Sequence, residues 1–264
     1  MRNPKLKLIG IIAILLAAPE ASHAQWKTKW SYGGPTGPEH WGDLDPDYAA
    51  CKVGRQQSPI DIKETTKAIL PVLQFQLGSR ALKYLVNNGY TIRVDYHDAP
   101  GTGNFLIVGS KRYQLQQFHF HGPSEETIHG KSTEMVAHLM FQGADRKVVG
   151  VTVFLRRGRA NSMIQKIWDH MPVTESKIGK DFSHPGEEVR GVQINPIRLL
   201  PADRRYYTYE GSLTAPPCTE NVTWIVLKAP VEVSDAQIAT FSALFPHDVR
   251  PVQPLNGRTV RESE

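Results

Sequence analysis

The sequence predicts a mainly β, α+β fold organised as a single domain. Strand-like segments that are short, alternate apolar and polar residues and are bounded by Gly, Pro or Asn recur between Leu82 and Leu227. Only two stretches carry a helical pattern. The chain has 264 residues, 40% hydrophobic and 22% charged, which is enough for one substantial core, and no composition shift, repeat or low-complexity segment marks a second domain.

In chain order, Leu82 to Val86 is the first clear strand, ended by Asn87-Asn88-Gly89, and Thr91 to Tyr96 is the next. Gly101-Thr102-Gly103-Asn104 is half of a glycine-rich nucleotide fingerprint, but no strand-turn-helix follows, so it reads as a loop leading into the strand Asn104 to Val108. Tyr113 to His121 ends at the turn pair Gly122-Pro123, and after Gly130-Lys131 come the apolar runs Glu134 to Gln142 and Val148 to Arg156. Gln193 to Ile194 and Asn221 to Leu227 complete the strands. Asn221-Val222-Thr223 is a glycosylation sequon by letter, but it opens an apolar strand and is expected to be occluded. The helices are Ser162 to His170 and Ser234 to Phe245, the second with Ser234 as N-cap and Gln237 three residues on as its capping-box partner; both are expected at the periphery. Loops rich in Pro and Gly fill residues 31–59 and 196–220, as expected of a sheet whose rims carry function.

The start of the chain is expected to be a targeting segment. Arg2, Lys5 and Lys7 precede the apolar run Leu8 to Ala18, and Ser22-His23-Ala24 ends in small residues suited to cleavage, so residues 1–24 read as a signal peptide and 25–264 as the domain. The apolar run is shorter than the roughly 20 residues that span a bilayer, so no stable membrane insertion is expected after cleavage. Cleavage removes Arg2, Lys5, Lys7 and Glu20, a net of two positive charges, and takes the formal charge from +5 to +3. Arg156-Arg157-Gly158-Arg159 and Arg204-Arg205 are not interleaved with aromatics; they read as solvated loop charges, and no nucleic-acid partner is expected. There is no Gly-x-Ser-x-Gly and no Walker-type loop.

The chemistry is concentrated in Gln117-Phe118-His119-Phe120-His121 and Met135-Val136-Ala137-His138-Leu139. On an extended strand His119 and His121 project from one face while Phe118 and Phe120 face the other, which makes a bidentate clip. His-x-His alone leaves open that the rings are merely hydrogen-bonded packing. The second apolar run can lie beside the first and bring up His138 as a third ligand. Three neutral imidazoles would leave a fourth tetrahedral position for water, the arrangement of a catalytic zinc.

Around these histidines the chain resembles the alpha-class carbonic anhydrases, in the form of a secreted bacterial member. The likeness runs from about Trp30 to Arg258 and rests on Tyr32-Gly33, Gly37-Pro38-Glu39-His40-Trp41, Gln57-Ser58-Pro59-Ile60-Asp61-Ile62, Asn87-Asn88-Gly89, Ser124-Glu125-Glu126-Thr127, Gly211-Ser212-Leu213-Thr214-Ala215-Pro216-Pro217, Val222-Thr223-Trp224 and Arg250-Pro251-Val252-Gln253-Pro254-Leu255. The resemblance implies a large, twisted, mostly antiparallel central sheet with short helices outside it. It implies Zn2+ held by His119, His121 and His138, and reversible hydration of CO2 to bicarbonate and a proton by attack of zinc-bound hydroxide. Thr214 would orient that hydroxide and pass its own proton toward Glu125, a task for a hydroxyl that both donates and accepts. Leu213, Met140, Val222 and Trp224 would form the apolar CO2 pocket, and Gln117 would support His119. Cys51 and Cys218 stand where secreted members carry cysteines, and an oxidising compartment favours their pairing, which would tether the loop of Thr214. The implied location is periplasmic or extracellular. Bacterial relatives are often homodimers, although no exposed apolar stripe in the sequence argues for one.

Three departures from the family pattern carry expectations of their own. Tyr90 stands where the fastest members have a proton-relaying histidine, and a phenol titrating near 10 is a poor relay at neutral pH. Val136 stands where many members carry a carboxylate that orients the third ligand; unless a backbone carbonyl or water replaces it, roughly 10- to 100-fold in metal affinity would be lost. Ala215 replaces a second threonine and changes the floor of the anion site. Two other functions are compatible with parts of this pattern. Zinc-free recognition modules of this family lack at least one ligand histidine, whereas all three are present here, and ester hydrolysis is expected as a side activity because an activated ester is also an electrophilic carbonyl.

Overall fold

The computed structural model describes residues 28–82, 84–176 and 187–264. The segment read as a signal peptide lies outside them. The main strands are β1 (Tyr84–Asn87), β2 (Ile92–Asp95), β3 (Phe105–Val108), β4 (Lys111–His121), β5 (Met135–Gly143), β6 (Val148–Arg157), β7 (Tyr206–Ser212) and β8 (Glu220–Leu227), and the two longest helices are α1 (Ser162–Trp168) and α2 (Asp235–Leu244). Among the described residues one 13-stranded sheet dominates, with β1, β2, β4, β5, β6, β8 and β7 as successive neighbours through its centre. Its pairings are mostly antiparallel; β6 and β8 run parallel.

Alternation along the central strands divides the molecule into two faces. Phe118 and Phe120 of β4, Ala137, Leu139 and Phe141 of β5, and Val151, Val153 and Leu155 of β6 form the larger core, which α1 and α2 cover with Ile164, Ile167, Trp168 and Phe241. Trp168 stacks on Phe241 with ring centroids 5.6 Å apart, and both meet Phe120 edge-on. The opposite face carries His119, His121 and His138 beside a smaller cluster of Val136, Met140, Phe154, Val222 and Trp224. Burial on both faces explains why β6 reads as an almost unbroken apolar run rather than an alternating one.

The helices are held as their sequences imply. The Asn161 side chain accepts from the amides of Met163 and Ile164 to cap α1, which stops at Trp168, two residues short of the expected end. Both halves of the Ser234–Gln237 capping box are formed at α2. Two expectations were too coarse. Residues 31–59 contain the short helices Trp41–Leu44 and Ala50–Val53, and the stretch 196–220, read as loop, contains β7, a seven-residue strand between β8 and Arg261–Glu262. Tyr206-Tyr207-Thr208-Tyr209 has strong strand propensity, but its partners lie elsewhere in the chain and its flanks are turn-like, so the local pattern understates it. Asn221, expected to be occluded, is exposed.

Candidate metal centre

The register of the central strands assembles the three histidines. His138 of β5 lies directly opposite His119 of β4, and Val136 lies opposite His121. Each ring is oriented by an oxygen on its outer side: His119 Nδ1 is 2.8 Å from Gln117 Oε1, His121 Nδ1 is 2.7 Å from the backbone oxygen of Asp248, and His138 Nε2 is 3.1 Å from Glu126 Oε2. Backbone and carboxylate oxygens only accept, and Gln117 Oε1 is also an acceptor, so each outer nitrogen carries the proton and each inner nitrogen presents a lone pair. One ligand atom from each ring lies within 4.8 Å of the others. His121 Nε2 and His138 Nδ1 are buried with no hydrogen-bond partner, as is Glu125 Oε2. Orphaned buried polar atoms cost about 1–3 kcal/mol each, so converging lone pairs of this kind fit a bound cation. A set of imidazole nitrogens suits Zn2+.

Charge is distributed unevenly around the cluster. Burial pushes His119 well below its ordinary range, helped by the neighbouring rings of His121 and His138 and by Arg93. Burial also acts to lower His121, but Glu125 and Asp248 outweigh it and hold that ring up to about 9. Glu125 and Asp248 thus favour positive charge at His121, while burial, the other two rings and Arg93 disfavour it at His119. Burial raises Glu125 above the usual carboxylate range, against the pull of His121, His138, the Arg250 amide and the Thr214 hydroxyl.

Thr214 and Glu125 are brought together. The Thr214 side chain hydrogen-bonds Glu125, whose Oε1 accepts from the Arg250 amide at 3.0 Å and whose Oε2 lies 3.4 Å from His121 Nε2. The loop of Thr214 is pinned by Leu213 N to Thr219 O at 3.0 Å, Cys218 N to Ala215 O at 2.9 Å, and the Cys51–Cys218 disulfide. Gln57 Nε2 donates to Cys218 O at 3.1 Å from the other side.

A cavity of about 150 Å3 opens onto the histidines, with Leu213, Thr214, Met140, Trp224 and Gln117 among its lining. That volume is room for a small substrate. Val222 is not among the lining residues; it is buried in the same apolar cluster as Met140 and Trp224, which form the exposed part of that wall. Gly150, which sequence reasoning missed, shapes the wall: it pairs with Met140 on one side and Trp224 on the other, and a Cβ there would lie 2.6 Å from the indole. Tyr90 lines the mouth and stacks on Trp30 with centroids 3.8 Å apart and planes 7° from parallel.

The expectation at Val136 is corrected by a residue the sequence did not single out. His138 does have a carboxylate partner, Glu126, which reaches it from the segment after β4. Asp248 was missed as well; its backbone oxygen serves His121 and its Oδ1 accepts from the Gly122 amide at 2.8 Å. The only sequence signal for Glu126 was a second acid after Glu125, and Asp248 is 127 residues from the ring it orients.

Comparison with known proteins agrees with this geometry. The family model of eukaryotic-type carbonic anhydrase matches residues 36–264. A carbonic anhydrase from Nostoc sp. is 39% identical over 270 residues, covering 99% of this chain and 97% of its own length, and one from Klebsiella pneumoniae is 40% identical over 251 residues, covering 95% and 97%. The alpha-carbonic anhydrase from Thermovibrio ammonificans, solved with the inhibitor sulfanilamide, superposes with a TM-score of 0.79 at 42% identity, covering 89% of this chain and 99% of that one. With three histidines converging beside an apolar-walled cavity, and these likenesses spanning nearly its whole length, the chain belongs to the eukaryotic-type, alpha-class carbonic anhydrase family of enzymes.

Proposed function

We propose that the protein catalyses zinc-dependent, reversible hydration of CO2 to bicarbonate and a proton, in the periplasm or outside the cell, after removal of residues 1–24. The observation that carries this reading is the set of inward-facing, unpartnered imidazole nitrogens at the floor of an apolar-walled cavity, with Thr214 and Glu125 beside them. Zinc bound there would supply the Lewis acidity that lets water ionise near neutral pH, an effect for which carbonic anhydrase is itself the reference case.

The remaining work belongs to the chain. His119, His121 and His138 would hold the metal, each kept in one tautomer by Gln117, Asp248 and Glu126. The Arg250 amide donates to Glu125 and favours its acceptor form, so the Thr214 proton is directed to Glu125 and the Thr214 oxygen presents its lone pairs to the cavity. That hydroxyl would then accept from the attacking water and fix its orientation. Leu213, Met140 and Trp224 offer CO2, which has no dipole, an apolar wall. Esters with an accessible carbonyl would react slowly at the same site.

Stopped-flow CO2 hydration on the mature protein tests the reading, as purified, after zinc chelation, and after zinc is returned. Activity lost and regained with the metal is expected, with His138→Ala inactive and Thr214→Ala reduced about 100-fold or more. A folded, zinc-replete sample without activity would refute the proposal.

A further inference from the structure

We infer that Glu126 is the positioning residue for His138, supplying from the segment after β4 the carboxylate that position 136 of β5 lacks. The inference rests on the reading that the three histidines hold zinc, and it concerns how this chain prepares the third of them.

Glu126 is fully buried, and both its carboxylate oxygens are engaged. Oε2 accepts from His138 Nε2 at 3.1 Å, and Oε1 accepts from Thr152 Oγ1 at 3.2 Å. Thr152 lies directly opposite His138 across the β5–β6 pair, so the carboxylate bridges two facing residues of adjacent strands. Its backbone is also held: Ser124 Oγ donates to Glu126 O at 2.9 Å and accepts from the Thr133 amide at 3.0 Å. A side chain fixed at both ends fixes the imidazole plane and keeps the proton on Nε2. Nδ1 is thereby left as the lone-pair donor, and that atom is buried without a partner.

Val136 is the other half of the arrangement. It lies two residues before His138 on the same strand face, where a side chain could also reach the ring, but it is buried in the cluster of Ile60, Ile62, Phe154 and Val226. A carboxylate at 136 together with Glu126 would set two buried acids against one ring N–H, at the cost of an uncompensated charge. Glu126 with Val136 leaves one acid, one N–H and a packed apolar pocket. The neighbouring Glu125 and Glu126 thus serve different partners, Thr214 and His138.

The test is the zinc dissociation constant of the metal-free full-length mature protein, measured by chelator competition, with near-ultraviolet circular dichroism checking the fold of each apo variant. Glu126→Gln keeps the shape, removes the charge and is expected to weaken zinc binding by about 10- to 100-fold. Exchanging the two positions, Glu126→Val with Val136→Glu, presents a carboxylate to the same ring from β5 and is expected to bring the constant back to within about threefold of wild type. A Glu126→Gln constant within about twofold of wild type overturns the inference. So does a folded exchange variant that stays as weak as Glu126→Gln. Should the exchange variant not fold, the visible spectrum of the Co2+-loaded Glu126→Gln protein decides: an altered ligand field is expected, and one identical to wild type refutes the role. Wild-type protein that takes up no zinc would instead refute the underlying metal reading, a result separate from any difference between variants.

Discussion

At the scale of single residues, the site is decided by what stands just outside the atoms that react. Tyr90 lies at the cavity mouth, stacked on Trp30, with its hydroxyl hydrogen-bonded to the Trp30 backbone. Burial raises it above the ordinary phenol range, with Glu175 adding to the effect, so it is a poorer proton carrier at neutral pH than an exposed tyrosine. Turnover at pH 7 in weak buffer is therefore expected to rise roughly tenfold in Tyr90→His, and in the wild type on adding imidazole. Stopped-flow rates that stay flat across an imidazole series would show that proton export does not limit this enzyme. Gly150 makes the same point from packing: its missing side chain is the space the Trp224 indole occupies.

At the scale of elements, the histidines sit on strands while Glu125 and Thr214 sit on loops, and those loops are clamped to the sheet. The segment carrying Glu125 and Glu126 leads into Thr127–Ile128, which pairs in parallel with Asp61–Ile62. Asp61 locks that pair: its Oδ1 accepts from Thr127 Oγ1 at 2.7 Å and from the Gly130 amide at 2.8 Å, and Lys63 lies 3.0 Å from Oδ2. Partial burial acts to raise Asp61, but these bonds outweigh it and leave its carboxyl below the usual range. A depressed folded value means stability that is fully present above the unfolded value of about 3.9 and is lost as pH falls through the folded one. Asp61→Asn should therefore flatten the acid limb of unfolding free energy against pH below about 4, checked by urea titrations at several pH values. An unchanged limb would mean the bonds do not persist in solution. The loop of Thr214 has a different clamp, the bond from Cys51 to Cys218, 167 residues apart. Replacing both by Ser is expected to lower stability by up to about 5 kcal/mol through the freed unfolded chain. Denaturant midpoints of the oxidised and double-Ser proteins measure it, and equal midpoints would contradict the expectation.

At the scale of the whole molecule, Arg250 connects parts that the chain keeps far apart. Its guanidinium donates to Gln57 Oε1 and Ser58 O at 2.8 Å and to Cys51 O at 3.0 Å, while its backbone amide holds Glu125. Burial lowers it to about 10, so it remains charged at neutral pH. Arg250→Met keeps the length and loses three bonds from a charged donor; a destabilisation of about 3 kcal/mol or more is expected in urea unfolding. A loss under about 1 kcal/mol would show that the hub is redundant.

The β-rich architecture, the two helices with the capping box of the second, and the shared face of His119 and His121 were legible in the sequence, and the family resemblance pointed to Thr214 and Glu125. These were legible because alternation, capping and turn chemistry are local, and because ordered motifs over most of the chain identify a family. β7 was hidden, since its strand character depends on pairing with β8 and Arg261–Glu262. Tertiary structure alone decided that Val222 packs behind the cavity wall, that Gly150 seats Trp224, and that His138 is served by Glu126 rather than by its own strand. Each of these depends on strand register and on where a loop returns to the sheet. A side chain's partner across a sheet is set by the pairing of distant segments, and no window of neighbouring residues contains that information.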